Sequence, residues 1–398
     1  MTDDISVTFS RRRVLAGVGA IGVGSIGAGM GTTAYFSDDE QFSDNVLVAG
    51  SLDLKVDWTE HYSDWSLDED DVVVGGESIG DFPVVMTNGD PDAVPDDYVG
   101  LPYFGNPLIA VPRLYVPNFM NNTAVEAYPD VDDDGLPEQF DDTYQVGDAA
   151  VTVGPACETG ADTPEHLDPT ASFRTDGPDT RLADGSPAPL VHLQDVKPGD
   201  FGEITFSLHL CDNPGYIWLN GDLQANAENG VTEPEAKDPD EDDGSGVADP
   251  DAGDETSGEL ADALRVVIWY DFDADNVFDR GVFTGELEES AILGHTAPMT
   301  LSEAMNELST GNGIPLDGDI PINQPDEFDE LTDAPTSDER QCFSPVTDID
   351  GSYFIGLAWW LPVDHANEIQ SDSVSFDLGF YAEQCRHNDG SGQTPEGT

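Results

Sequence analysis

The sequence predicts an all-β protein, an antiparallel β-sandwich with long acidic loop insertions and little helix. Apolar and polar residues alternate at 52–58, 204–211 and 374–381. A period of two buries one side of a strand and leaves the other side in solvent, as in the strands of an antiparallel sheet. Two runs, at 264–270 and 353–361, are apolar throughout and predict central strands that are covered on both faces.

The best helix candidate lies in the last third of the chain. Thr300 and Glu303 form a capping-box pair in front of an amphipathic stretch, which predicts a helix over 301–309. Few other segments have a helical period, so helix is expected to be a minor component.

Long insertions separate the predicted strands. They are acidic and rich in Pro and Gly, and they lie near 88–145, 233–257 and 311–340. No linker divides two cores, so residues 35–398 are expected to form a single sandwich domain with surface inserts. A second domain inserted around 88–185 is the alternative.

Residues 1–34 have the layout of a twin-arginine export signal. Arg11 and Arg12 stand directly before an apolar, glycine-rich run that continues to about Ala34. A charged region, an apolar region and small residues follow one another in this order in export signals. We therefore expect cleavage after Ala34 and a secreted protein with no stable membrane span after cleavage. Retention as an N-terminal anchor is the alternative.

The charge is extreme. The chain has 82 Asp and Glu residues against 13 Lys and Arg, a formal net charge of −69. Cleavage after Ala34 leaves 10 basic and 80 acidic residues, a net charge of −70. Such a charge opposes folding by self-repulsion unless concentrated salt screens it, which indicates a halophilic archaeon. Nucleic acid is excluded as a partner because little basic surface remains to displace its counterions.

The cysteines fit an exported protein. There are four, all beyond the signal, and an even number outside the cell predicts two disulfides. Three pairings are possible, and a zinc site is the weaker alternative because no C-x-x-C pair occurs. The four candidates are Cys157, Cys211, Cys342 and Cys385.

Two stretches have the alternating acidic residues of calcium-binding loops. Calcium takes about six to eight oxygen ligands, often from loops with Gly or Asn at the bend. One stretch directly follows the predicted strand at 264–270 and the other lies in the first insertion. A chain this acidic also produces such spacings by chance. The candidate ligands are Asp271, Asp273, Asp275, Asn276 and Asp279 in one loop, and Asp130, Asp132, Asp134 and Glu138 in the other.

Catalytic motifs are missing from the sequence. It has no H-E-x-x-H, and its seven histidines are scattered. His209 falls on the polar side of a predicted strand, where we expect a surface position. Asn121 begins a glycosylation sequon in a predicted surface loop. We expect no enzyme activity, with a secreted metallopeptidase as the least favoured function.

Three segments carry a resemblance to a known family. The first segment is "AYFSDDEQFSDNVLVAGSLDLKVDW". It contains an aromatic pair, a Ser-Asp pair and the motif "AGSLDL" at 49–54, which leads into a predicted strand. "VKPGDFGEITFSLHLCDNPGYIWL" at 196–219 and "DSVSFDLGFYAEQCRHN" at 372–388 follow in the same order. The sequence resembles the TasA/camelysin family, whose members carry SipW-type signal peptides, and looks like its haloarchaeal branch.

The resemblance implies a jelly-roll-like sandwich that assembles into extracellular fibres, as in biofilm fibres and archaeal bundling pili. In such fibres an N-terminal strand can complete the sheet of a neighbouring subunit. Residues 35–48 are the expected donor strand, and folding back onto their own sandwich is the alternative. The donor residues expected to take part are the aromatic pair and the aliphatic run, Tyr35, Phe36, Val46, Leu47 and Val48.

These observations favour a secreted structural subunit of a fibre, pilus or biofilm matrix that associates with itself. Other matrix or cell-surface components are possible further partners. The second reading is a monomeric, calcium-dependent surface adhesin or binding module. An elongated assembly in concentrated salt distinguishes the two.

Overall fold

The structure is a computed structural model. It describes the parts of the chain that form the strands and helices below, and the export signal and donor segment lie outside them. The described residues are 52–64, 71–74, 77–81, 84–127, 144–146, 149–151, 157, 191, 193, 196–211, 213–229, 258–271, 274–278, 289–294, 297–318, 340–345, 353–365 and 369–392.

Strands dominate these residues, and all named strand pairs are antiparallel. The strands are β1 (Leu54–Ser63), β2 (Asp71–Val74), β3 (Glu77–Asp81), β4 (Val85–Met86), β5 (Tyr98–Leu101), β6 (Ile109–Pro112), β7 (Ala124–Ala127), β8 (Tyr144–Val146), β9 (Ala149–Val151), β10 (Phe201–Leu210), β11 (Gly215–Ala227), β12 (Arg265–Tyr270), β13 (Ser290–Leu293), β14 (Met299–Thr300), β15 (Ile314–Pro315), β16 (Tyr353–Trp360) and β17 (Ser373–Gln384). The helices are α1 (Val116–Thr123), α2 (Leu260–Ala263) and α3 (Leu301–Leu308).

A seven-stranded sheet forms the centre of the fold. Its order is β13-β12-β16-β10-β1-β7, and β14 pairs with β12 beside β13. The register places Leu54 opposite Leu210 and Ser63 opposite Phe201 along β1 and β10. The antiparallel all-β prediction is confirmed.

A second sheet, in the order β15-β11-β17, faces one side of the central sheet. Ile217 and Leu219 of β11 share a buried cluster with Phe206 and Leu208 of β10. Side chains of α3, including Met305, complete the same core. Two sheets packed face to face make the predicted sandwich.

The first insertion forms a third layer on the other side of the central sheet. Within it, β5 and β6 form a small sheet with β4, which lies just before the insertion, in the order β4-β6-β5. The helix α1 follows β6. Leu101 and Phe119 from this layer share a second buried cluster with Trp269 and Trp360 of the central sheet. The segment near 88–145, expected as a surface loop, therefore carries packed structure over its described residues.

The two uniformly apolar strands are covered on both faces, as predicted. Along β12, Val266 and Ile268 belong to the core under the second sheet. Val267 and Trp269 point to the opposite side and belong to the core under the third layer. The run of apolar residues is explained by this position between two layers.

β17 also confirms its prediction. Its apolar residues, including Phe376 and Leu378, are half-buried against the core, and Ser375 and Asp377 between them are exposed. A period of two with one wet face is the pattern of a strand on the outside of a sandwich.

The prediction of one wet face is wrong for β1 and β10. All ten residues of β10 are buried, including Glu203 and His209, and Asp57 of β1 is 0% exposed. The central sheet has packed layers on both of its faces, so the polar side of these strands is buried as well. α1 contributes to this cover, since the His61 ring hydrogen-bonds to the Met120 backbone.

The predicted helix is confirmed as α3. The Thr300 hydroxyl accepts a hydrogen bond from the Glu303 amide at 3.1 Å. The Glu303 carboxylate accepts one from the Thr300 amide at 3.0 Å, which closes the capping box.

Among the described residues no helix has the length and apolar character needed to cross a membrane.

The cysteines form two disulfides, which selects one of the three possible pairings. Cys157 is joined to Cys211, next to the end of β10. Cys342 is joined to Cys385, directly after β17. The second bond links the end of the third insertion to the last strand.

Candidate metal centre and sheet edge

One of the two predicted calcium loops follows β12, and the structure describes part of it. Asp271, Asp275 and Asn276 are placed, whereas Asp273 and Asp279 lie outside the described residues. The other predicted loop lies wholly outside them, with its candidates Asp130, Asp132, Asp134 and Glu138.

The described part of this loop bends around the Asp271 carboxylate. The Asp271 amide donates to the Phe354 carbonyl at 3.1 Å, which extends the pairing of β12 with β16 by one residue. Ala274 and Asn276 have φ values of +58° and +62°, and the left-handed region suits a tight bend. The Asn276 amide then donates to Oδ2 of Asp271 at 3.1 Å.

A third carboxylate joins this loop from a distant part of the sequence. One carboxylate oxygen from each of Asp271, Asp275 and Glu289 lies within 4.8 Å of the others. Glu289 directly precedes β13, and the pairing of β13 with β12 brings it to the loop. Asp271 is 1% exposed and Glu289 is 5% exposed, whereas Asp275 is more open to solvent.

Thr205 on the neighbouring strand β10 contacts two members of the loop. Its Oγ1 lies 2.7 Å from Oδ2 of Asp271 and 2.7 Å from Oδ1 of Asn276. A hydroxyl carries one proton and donates only one hydrogen bond. The Asn276 amide nitrogen is buried with no hydrogen-bond partner among the described residues. Turning this amide by 180° lets the amide nitrogen donate to Thr205 and leaves the amide oxygen where the unpartnered nitrogen lay.

Glu203 lies two residues before Thr205, on the same face of β10. It is 0% exposed, and within the described part of the chain neither of its carboxylate oxygens has a hydrogen-bond partner. Burial, and secondly the negative charge of Asp271, raise the pKa of Glu203 well above its usual value. A bare buried carboxylate is unfavourable, so this position requires a proton or a cation.

A second group of carboxylates closes the base of the middle insertion. Glu228 and Glu259, which flank the insert near 233–257, meet Asp372 with oxygens within 4.8 Å of one another. Oδ2 of Asp372 accepts hydrogen bonds from the amides of Glu259 at 2.6 Å and Leu260 at 3.1 Å. All three residues are only half-buried. The amide donors already account for the placement of Asp372, and we assign this group a structural role.

His209 corrects an expectation from the sequence. It is 3% exposed, and its Nε2 lies 3.2 Å from Oδ2 of Asp57, which is fully buried. The polar side of β10 is covered, so the histidine is an internal partner of Asp57 and not a surface residue.

Asn121 also differs from its expected setting. It lies within α1, half-buried, and not in a surface loop. The hydroxyl of Thr123, the third residue of the sequon, is buried and donates to the Phe119 carbonyl at 2.9 Å. The folded helix therefore does not present the sequon in an extended form.

The second sheet ends at a long strand. Within the described residues, β17 pairs with β11 along one side and with no strand along the other. Its core-facing side chains Val374, Phe376, Leu378 and Phe380 are only half-buried there. The expected donor residues Tyr35, Phe36, Val46, Leu47 and Val48, and the signal residues Arg11, Arg12 and Ala34, lie outside the described residues.

Comparisons with known proteins do not assign the chain to a family. No protein-family model matches it, and no curated protein sequence matches it.

Proposed function

We propose that this protein is a secreted structural subunit of an extracellular fibre in a halophilic archaeon, of the TasA/camelysin type. In this proposal residues 35–48 of one subunit add as a strand to the outer edge of β17 in the next. The observation that carries the proposal is the twelve-residue strand β17, which pairs on one side only among the described residues. The proposed role is structural and not catalytic.

The lengths of the two segments agree. An extended strand rises about 3.3 Å per residue, so the fourteen residues from 35 to 48 span about 46 Å and the twelve of β17 about 40 Å. An added strand supplies main-chain hydrogen bonds to an open edge, and its alternate side chains extend the core. Phe376 and Leu378, now half-buried, would gain apolar cover from Val46 and Val48.

The geometry of this exchange produces a filament. The donor lies at the start of the chain and the acceptor near its end, so each subunit offers one of each. A head-to-tail contact of this kind leaves a free donor at one end and a free acceptor at the other, so it propagates into a filament unless the rotation between subunits closes a ring.

Charge makes the exchange salt-dependent. The donor carries Asp38, Asp39, Glu40 and Asp44, and Asp377 is exposed on β17. These like charges repel unless they are screened, and the Debye length falls to about 3 Å at 1 M salt. Assembly is therefore expected in concentrated salt and not in dilute buffer.

The experiment is electron microscopy of the mature chain, residues 35–398, in molar salt, beside a chain that begins at residue 49. We expect filaments from the first and folded monomers from the second. Filaments from both chains, or from neither, would contradict donor-strand assembly.

The carboxylate cluster around Asp271 favours a second candidate, a monomeric calcium-dependent binding module. Calcium would then be required for partner binding, and the mature chain would stay monomeric in molar salt. Light scattering with and without calcium separates this candidate from the fibre subunit.

A further inference from the structure

Buried negative charge is concentrated at one point of the central sheet. Asp271 and Glu289 are 1% and 5% exposed, and one carboxylate oxygen of each lies within 4.8 Å of the other and of an oxygen of Asp275. Carboxylates buried this close together repel one another unless a cation or a proton compensates their charge.

A buried side chain of the same loop has a polar atom without a partner among the described residues. It is Asn276, with its amide nitrogen. Asn276 is 3% exposed and touches Thr205, which in turn touches Asp271. Native proteins rarely leave such a group unsatisfied, and an unfilled ligand position beside Asp271 explains it once the amide is turned so that its oxygen faces that position.

We infer that Asp271, Asp275 and Glu289, with the side-chain oxygen of Asn276, hold a hard divalent cation of the calcium class. The ligands are all oxygens, which suits calcium or magnesium and not the softer metals that prefer sulfur or imidazole. Calcium is favoured because the ligands come from a bent loop and the start of β13, and calcium tolerates irregular geometry whereas magnesium demands an octahedron.

The position of the site gives the cation a mechanical role. Two residues after Asn276, Phe278 stacks on Trp269 at 5.4 Å and on Tyr103 of the third layer at 5.8 Å between ring centroids. Phe278 and Tyr103 also form a parallel bridge. The cation thus anchors a loop that forms one of the contacts between the third layer and the central sheet.

The test measures calcium binding and thermal melting of the chelator-treated mature chain in molar sodium chloride. Calcium chloride should bind by calorimetry and raise Tm more than the same concentration of magnesium chloride. Glu289→Gln and Asp275→Asn should each weaken calcium binding at least tenfold. Glu307→Gln is the matched control, because Glu307 is exposed on α3 and far from the loop in sequence, and it should bind like the wild type.

Glu289→Gln provides a readout that a simple loss of stability cannot imitate. Without calcium it should raise Tm, because it reduces the repulsion among three neighbouring carboxylates, and with calcium it should lower Tm relative to the wild type. Asp275→Asn keeps the carbonyl oxygen that accepts the Val277 amide at 2.9 Å, so it covers the case in which the first variant does not fold.

Several results would overturn the inference. They are the absence of calcium binding by the wild type, equal effects of calcium and magnesium, or a calcium shift that persists in both variants. Hydrogen exchange supplies the local measurement: the amides of β5 and β6 should exchange faster without calcium, and unchanged exchange would contradict the anchoring role. None of these readouts depends on filaments.

Discussion

The guanidinium of Arg340 lies over the indole ring of Trp218, 4.1 Å from the ring centroid. Arg340 stands at the end of the third acidic insertion and is 4% exposed. Its Nε donates to the Leu316 carbonyl at 2.6 Å and its Nη1 to the Gly390 carbonyl at 3.0 Å, and Nη2 donates to the Ile217 carbonyl. Burial lowers the pKa of Arg340 to about 10, so it stays charged at neutral pH.

Replacing Arg340 should destabilise the sandwich. Arg340→Lys loses the planar fork that serves three carbonyls and the stacking on Trp218, so the free energy of unfolding should fall by about 2–4 kcal/mol. Arg386→Lys is the matched control, since Arg386 is exposed. Denaturant unfolding in molar salt provides the measurement, and an equal stability of the two variants would contradict the role of Arg340.

The disulfide between Cys342 and Cys385 should contribute a comparable amount. It closes a loop of 43 residues, and cross-links of this size typically stabilise by about 2–4 kcal/mol. The double variant Cys342→Ala and Cys385→Ala should unfold at correspondingly lower denaturant. Peptide mapping without reduction should recover this pair together with Cys157–Cys211, and recovery of either alternative pairing would contradict this prediction.

His61 should make the protein sensitive to mild acid. Burial lowers its pKa from 6.5 to about 4, so the unfolded chain takes up this proton before the folded chain does. Its contribution to stability is fully present above about pH 6.5 and is lost as the pH falls towards 4, at most about 3 kcal/mol. Glu203 acts in the opposite direction, because its raised pKa means that stability is lost as the pH rises.

Matched variants isolate the contribution of His61 to the pH dependence of stability. His61→Asn should flatten the dependence of Tm on pH between 6.5 and 4 relative to the wild type. His387→Asn should leave that dependence unchanged, because His387 is exposed and Asn tolerates its φ of +67°. If the His61 variant keeps the slope of the wild type, another group is responsible for it.

Salt should be required for folding. A net charge of −70 on the mature chain repels itself, and the Debye length exceeds about 6 Å below a few tenths molar salt. We expect Tm to fall steeply below this range and circular dichroism to report loss of strand. An unchanged Tm from low to high salt would contradict the halophilic assignment.

Local patterns in the sequence were sufficient for several elements. The alternation at 374–381 predicted the outer strand β17, and the apolar run at 264–270 predicted β12 between two layers. The capping pair of Thr300 and Glu303 predicted α3. In each case the signal lies within a few residues, because periodicity and capping depend on near neighbours.

Features that depend on distant contacts were not predictable in this way. The burial of Glu203 and His209 depends on layers that cover both faces of the central sheet, one of them formed by the first insertion. Glu289 reaches the Asp271 loop only through the pairing of β13 with β12. Arg340 belongs to a segment whose composition indicates solvent exposure. A buried polar residue has the same local sequence as an exposed one, so tertiary packing decides between them.

Cysteine cross-linking within filaments tests strand addition at β17 most directly. Asp377→Cys, on the wet face of β17, is combined in turn with a cysteine at Val46, Leu47 or Val48, because alternate residues of a strand face opposite sides. Facing residues on paired strands lie within disulfide reach. We predict a ladder of covalent oligomers on non-reducing gels in molar salt for at least one pair, and none when Glu307→Cys replaces Asp377→Cys. Filaments that form without a cross-link at any of the three positions would contradict the account.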